Sequence, residues 1–285
     1  MTILVTAASG HLGRLVLDSL LDRGVAPATL RAAARRPETL SEYAERGVDV
    51  VALDYADADS ARAALAGVEK VLLISGSEVG QRIAQHGNVI EAAAAAGVQQ
   101  LVYTSAPQAT TSELVLAPEH KATEEHIAAS GLPATILRNN WYTENYAQDL
   151  EVAREHGVLV TSAGGGRVPS ASRADFADVA AVVLTTEGHI GQVYELAGDV
   201  AWDFPTLAAT LAEVLGREVV LEQLTPEERV AQLTQIGLDA GTAGFVAALE
   251  GNIRDGVLDH TDGTLSRLLG RPTTPLVDTL RTLTA

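Results

Sequence analysis

The residues best placed to do chemistry stand near the N-terminus. There the apolar run Ile3-Leu4-Val5 leads into Thr6-Ala7-Ala8-Ser9-Gly10-His11-Leu12-Gly13 and then into a helix-forming stretch. A strand that turns directly into a helix on spaced small residues can receive a pyrophosphate. Gly10 lets the backbone approach the phosphates, Gly13 lets helix and strand pack closely, and the N–H groups of Gly10, His11 and Leu12 are expected to hold the anion. Glycine spacing alone is a weak signal, and its position between strand and helix gives it weight. The expected Gly-x-x-Gly-x-x-Gly begins here with Ala7 in place of glycine. If that position needs a positive φ, alanine strains it by ~1 kcal/mol.

The next chemistry lies at the end of a second strand, in Ala34-Arg35-Arg36-Pro37. A carboxylate there bonds the ribose 2′-hydroxyl of NAD and repels a 2′-phosphate. This chain has no carboxylate there and two guanidiniums, whose forked donors match phosphate oxygens, so the expected cofactor is NADPH. After a third strand comes Asp54-Tyr55. Asp54 either accepts from an adenine amino group, with Tyr55 over the ring, or caps the following helix, and the spacing leaves both open.

A third cluster is aromatic. The chain holds only 2 Trp, 6 Tyr and 3 Phe, yet Trp141, Tyr142 and Tyr146 fall within six residues just after a strand end. Aromatic faces there suit a flat ring substrate, and a core patch is the alternative. Other chemistries lack their residues. There is no Cys, the seven His are scattered without close metal-ligand spacing, and neither a Gly-x-Ser-x-Gly elbow nor a Gly-x-x-x-x-Gly-Lys loop occurs. Arg173-Ala174-Asp175, after the run Gly164-Gly165-Gly166, either braces the cleft or caps a helix, and Asp175 ahead of a long Ala and Val helix reads as the cap.

These residues need a scaffold, and the pattern supplies one. Six short apolar runs are expected as strands: Ile3 to Val5, Thr29 to Ala34, Val48 to Leu53, Val71 to Ile74, Leu101 to Thr104 and Ala134 to Leu137. Helical stretches alternate with them over Leu12 to Arg23, Pro37 to Arg46, Asp59 to Ala66, Val79 to Ala96 and Glu119 to Ser130. Each stretch is closed by a glycine (24, 47, 67, 97, 131), the usual helix stop. Strands alternating with helices predict an α/β fold, a Rossmann-type doubly wound parallel sheet. Residues 1–150 are expected to form its dinucleotide-binding domain, with segments around 173–200 returning to it. Residues 151–285 are expected to form a smaller, mostly helical lobe that covers the substrate.

Composition agrees with a packed, acidic protein. Of 285 residues 47% are hydrophobic, and Asp plus Glu exceed Lys plus Arg by 37 to 20, a net charge of -17 that makes nucleic acid a poor partner. No signal peptide or membrane span is legible, so a cytoplasmic protein is expected.

Three segments carry a family resemblance. Val71-Leu72-Leu73-Ile74-Ser75-Gly76-Ser77-Glu78-Val79-Gly80-Gln81-Arg82, Leu137-Arg138-Asn139-Asn140-Trp141-Tyr142-Thr143-Glu144-Asn145-Tyr146 and Leu269-Gly270-Arg271-Pro272-Thr273-Thr274 resemble the bacterial type 2 NADPH:quinone oxidoreductases. These are NmrA-like atypical short-chain dehydrogenases, with triphenylmethane reductases as a neighbouring branch. The resemblance implies flavin-free hydride transfer from NADPH to a quinone. It places the pyrophosphate on Ala7 to Leu12, that is Ala7, Ala8, Ser9, Gly10, His11 and Leu12, and the 2′-phosphate on Arg35. It places the nicotinamide ribose on Ser75, Gly76 and Ser77, and the nicotinamide on Asn139, Asn140, Trp141, Tyr142, Thr143 and Glu144. The family pattern has glycine where this chain has Ala7 and Asn140, and Asn140 is expected to narrow or polarise the acceptor pocket.

A quinone also needs protons. Short-chain dehydrogenases commonly use Tyr-x-x-x-Lys, and the matching stretch Ala117-Pro118-Glu119-His120-Lys121 keeps the lysine but has alanine in the tyrosine position. The hydroquinone anion left by hydride transfer is stabilised by delocalisation and takes its remaining proton from water, whereas alcohol oxidation needs a positioned base. Tyr142 or His120 is the expected donor if the protein supplies one. Lys121 is expected either at the nicotinamide ribose or on a helix face with intrahelical ion pairs. The sequence thus predicts an NADPH-dependent quinone reductase. Two alternatives stay open: a reductase of another flat acceptor (triarylmethane dye, enone or imine), and a non-catalytic NADP sensor. A homodimer also stays open.

Overall fold

The computed structural model describes residues 1–284. The strands are β1 (Ile3–Val5), β2 (Leu30–Ala34), β3 (Asp49–Ala52), β4 (Lys70–Leu73), β5 (Gln100–Ser105), β6 (Ala134–Asn139), β7 (Val158–Thr161), β8 (Arg167–Val168), β9 (Val193–Leu196), β10 (Trp202–Asp203) and β11 (Val220–Gln223). The α-helices are α1 (His11–Asp22), α2 (Ser41–Glu45), α3 (Ala58–Leu65), α4 (Arg82–Ala96), α5 (Ala117–Ser130), α6 (Ala147–His156), α7 (Arg173–Thr185), α8 (Phe204–Leu215), α9 (Pro226–Gln235), α10 (Ala240–Arg254), α11 (Thr264–Leu269) and α12 (Leu276–Thr282). No helix among the described residues is long and apolar enough to cross a membrane.

The chain divides into two units. The first comprises Met1–Thr110, Leu116–Asn139 and Arg173–Leu196. Its sheet runs β3-β2-β1-β4-β5-β6-β9 with every neighbouring pair parallel. The six predicted strands are all present, and Val193-Tyr194-Glu195-Leu196 adds a seventh at the edge. Because side chains alternate along a strand, one sheet face carries Leu4, Val71, Leu73, Leu101, Tyr103 and Ile136 against Ala61 and Leu65 of α3, Val89 and Ile90 of α4 and Ile127 of α5. Ile3, Val5, Leu72 and Val102, also fully buried, alternate with them toward the other face, where α1 and α7 pack together. Ser19 of α1 donates to Asp178 of α7 at 2.7 Å.

Where element ends differ from the pattern, the cause is local. Pro27–Thr29 turns as a 3-10 helix, so β2 begins at Leu30. The helix expected from Val79 begins at Arg82, because Gly80 takes φ 86° and residues 76–81 form a loop.

The edge strand is held by charge. Arg138 on β6 donates Nε and Nη2 to Glu124 of α5, at 2.9 and 2.6 Å, and Nη1 to Glu195 of β9 at 2.9 Å. Ser105 of β5 donates to the same Glu124 at 2.6 Å. These hydrogen bonds, those of Glu124 first, push the Arg138 guanidinium above its usual range and tie β5, β6, β9 and α5 together at one end of the sheet.

The second unit comprises Thr111–Val115, Asn140–Ser172 and the chain from Ala197 onward. It pairs β8 with β10 antiparallel and β7 with β11 parallel, and its remaining elements are helices. Gly166 fits closely here, since a Cβ would lie 2.2 Å from the Ile253 carbonyl oxygen. Glu250 of α10 accepts from the Ser162 N–H and hydroxyl and from Arg229 of α9.

Candidate functional site

The order of the first unit's sheet reverses between β1 and β4, and ligands of doubly wound sheets bind beyond the strand ends at such a point. A cleft of about 510 Å³ opens there. The turn after β1 forms its floor. Ala7 takes φ 46°, so the position that commonly carries glycine does need a left-handed backbone here and alanine bears the strain. Gly10 closes the turn by donating its N–H to the Ala7 carbonyl at 3.0 Å. That bond corrects one expectation, since the Gly10 N–H serves the turn and not an anion. Gly13 is obligatory, because a Cβ would sit 2.5 Å from the Ala7 oxygen and 2.6 Å from Ala8 Cα. The first turn of α1 has no side-chain cap and no acidic residue, which leaves the His11 and Leu12 N–H groups without intrahelical acceptors and the positive end of the helix dipole facing outward.

Ser9, Gly10, His11 and Leu12 line the cleft with Ala7, joined by Arg35, Asp54 and the loop Ser75-Gly76-Ser77. The structure therefore brings together the predicted phosphate turn, the arginine at the end of β2 and the loop after β4. Ala8 is not among the lining residues, being buried with its N–H bonded to the Ala33 carbonyl at 2.9 Å. Arg36 and Arg173 add two further cations to the lining in a chain of net charge -17. Asp54 accepts from the Ala56 N–H at 3.0 Å, and the helix cap is Asp57, which accepts from Asp59 and Ser60. Tyr55 lines the cleft with its hydroxyl turned inward. That hydroxyl donates to the Ile74 carbonyl at 2.8 Å and meets Thr6 Oγ1, and burial pushes its pKa up, so it is no proton source.

The loop after β4 is clamped by residues to which the sequence pattern assigns no role. His86 Nε2 accepts from the Gly76 N–H at 2.9 Å, and Arg82 Nε donates to the Gly76 carbonyl at 2.6 Å. At the far end, Glu119 accepts from the Gly80 N–H at 2.9 Å and from Arg82 at 3.2 Å. The Thr123 hydroxyl donates to the Glu119 carbonyl, so at His86 it acts as acceptor and Nδ1 carries the proton. Burial, aided by the Arg82 charge, lowers the His86 pKa to about 4. His120, buried and bonded to the Tyr103 hydroxyl at 2.8 Å, is lowered by the same causes to about 3. It is neutral in the working pH range, which removes it as the expected proton donor.

The remaining predicted residues lie elsewhere. Lys121 is exposed on α5 and does not line the cleft, and Asn139 is buried at the end of β6. The next residues belong to the second unit. One Asn140 amide N–H goes to the Leu258 carbonyl at 3.0 Å and its oxygen accepts from the Trp141 N–H at 2.7 Å, so its polarity is used inside that unit. Thr143 is buried against Ser170, Trp141 and Tyr142 are half-buried, and Glu144 lies in the 3-10 turn Thr143–Tyr146. Tyr146 is a core residue, packed edge-on against Trp202 at 5.2 Å between ring centres, which corrects the reading of all three aromatics as substrate contacts. Asp175 does not precede α7 as a cap; it lies buried in the first turn. Among the described residues no group of three or more His, Cys, Asp or Glu side chains is arranged to hold a metal.

A switch-point cleft floored by an uncapped helix start and edged by arginines defines a Rossmann-type dinucleotide-binding protein. A family profile described as NAD(P)H-binding matches residues 7–187. Quinone oxidoreductase 2 of Escherichia coli (strain K12) is 45% identical over 278 residues, covering 98% of this chain and 97% of that protein. The chain belongs to the NAD(P)H-binding family, on the type 2 quinone oxidoreductase branch that its sequence resembles. A crystal structure of NADPH-dependent quinone oxidoreductase from Escherichia coli in complex with NADPH is 44% identical, covers both chains fully and has a TM-score of 0.95. The Citrobacter sp. triphenylmethane reductase complexed with NADP(H) is 37% identical over 99% of this chain and 100% of that one, with a TM-score of 0.94.

Two outcomes follow for the site. Ala7→Gly relieves the left-handed strain and raises unfolding free energy by about 0.5–1 kcal/mol in urea denaturation; an unchanged or lower value contradicts the strain. Because the folded His86 pKa lies below its ordinary 6.5, the stability it contributes is full above pH 6.5 and is lost as pH falls through about 4. His86→Gln is therefore expected to lose less stability than the parent between pH 6.5 and 4, and equal slopes would contradict the neutral clamp.

Proposed function

We propose that the chain is an NADPH-dependent reductase that passes a hydride directly to a quinone, without flavin. The observation that carries this reading is the cleft itself, where an uncapped helix start and the Arg35-Arg36 pair line one cavity. The residues fit the cofactor. The Ala7 to Leu12 turn would take the pyrophosphate on the His11 and Leu12 N–H groups, and Arg35 the 2′-phosphate. Ser75, Gly76 and Ser77, pinned by His86 and Arg82, would hold the nicotinamide ribose.

When bound, reduced nicotinamide supplies two electrons and one proton as hydride. The chain supplies placement more than acid. Within the first unit Tyr55 and His120 are committed to internal hydrogen bonds and Lys121 is exposed, which supports water as the source of the second proton of a hydroquinone.

The 45% identity to a quinone oxidoreductase supports the quinone, and the 37% identity to a triphenylmethane reductase favours a triarylmethane dye as a second acceptor of the same flat class. The test is NADPH oxidation by flavin-free protein with a panel of simple quinones, with NADH in parallel. Quinone-dependent turnover favouring NADPH is expected, and its absence despite intact NADP binding would contradict the reading. Tyr142→Phe and Lys121→Ala are expected to retain turnover, and abolition by either would show that a protein acid is required.

A further inference from the structure

Glu78 stands where a second anion would compete with the cofactor. Its Oε1 accepts from Arg35 Nη1 at 3.1 Å, and its Oε2 accepts from Gln85 Nε2 at 2.9 Å, so both carboxylate oxygens are engaged. All three side chains line the cleft. The placement is built into the fold. Glu78 sits at the crown of a loop whose Gly76 is gripped by His86 and Arg82 and whose Gly80 is gripped by Glu119. Arg35 and Glu78 are 43 residues apart and meet across the strand ends of β2 and β4.

We propose that Glu78 is a specificity-setting positioning residue that acts through Arg35. Its carboxylate holds the guanidinium that a 2′-phosphate would take, and the phosphate must displace it. A guanidinium fork binds a carboxylate or a phosphate by the same paired donors, so the two anions exchange at one partner. The chain then binds 2′-phosphorylated dinucleotides more weakly, and releases them more readily, than its arginine pair alone would allow. A dinucleotide without the 2′-phosphate has no such competitor. This inference rests on the reading of Arg35 as the 2′-phosphate contact.

The experiment is calorimetric titration of NADP+ and NAD+ into the parent, Glu78→Gln, Arg35→Ala and the double variant at low salt. Glu78→Gln is expected to bind NADP+ about two- to fivefold more tightly with NAD+ affinity unchanged, the size an exposed ion pair permits. The gain is expected to vanish in the Arg35→Ala background and to shrink as salt screens the pair. Unchanged or weaker NADP+ binding by Glu78→Gln, with Arg35→Ala still losing NADP+ selectively, overturns the role of Glu78 alone. A gain that persists without Arg35 overturns the route through Arg35. Equal loss of NADP+ and NAD+ in Arg35→Ala overturns the Arg35 assignment and this proposal with it.

Discussion

The first unit depends on how closely the start of α1 approaches the end of β1. With no side chain at Gly13, the helix sits against the Ala7 carbonyl and the Ala8 backbone, a distance that one methyl group would break. That approach forces the chain through a left-handed residue at Ala7 and spends the Gly10 N–H on closing the turn. It also aims the uncapped first turn of α1 at the switch point between β1 and β4. A single steric fact thereby places a positive helix end where a pyrophosphate would lie.

Around that point the electrostatics are local, not global. A chain of net charge -17 gathers Arg35, Arg36 and Arg173 at one cleft, and it manages the arginine at the end of β2 with a carboxylate from a neighbouring loop. Two histidines of this unit, a residue type that elsewhere serves as an acid, are structural. His86 and His120 are buried, neutral and bonded into a network that fixes the loop after β4. That arrangement suits an acceptor whose reduced form takes its proton from water, and it suits poorly an alcohol oxidation that needs a positioned base.

How much was legible in the sequence follows from the range of each signal. Short apolar runs and glycine stops are local, so β1 to β6 and helix ends such as Gly97 and Gly131, at φ 70° and 71°, could be read directly. The phosphate turn was legible because strand, glycines and helix are contiguous. Even there the partner of the Gly10 N–H is hidden, since the Ala7 carbonyl becomes its acceptor only once the backbone turns. Glu78, Gln85 and His86 were not legible, because their roles exist only when the loop after β4 meets β2 and α5. Tyr146 shows the converse. Its place in an aromatic cluster suggested a substrate face, but its long-range packing against Trp202 and Phe204 makes it core.

Recognition of a 2′-phosphorylated adenosine by this cleft is tested most directly with that fragment alone. Titration of 2′,5′-ADP against 5′-AMP isolates the 2′-phosphate from the nicotinamide and from any acceptor. 2′,5′-ADP is expected to bind tighter by about 1.5–3 kcal/mol, the value of a charge-assisted contact, and Arg35→Ala to remove most of the difference. Equal affinities for the two fragments would contradict it.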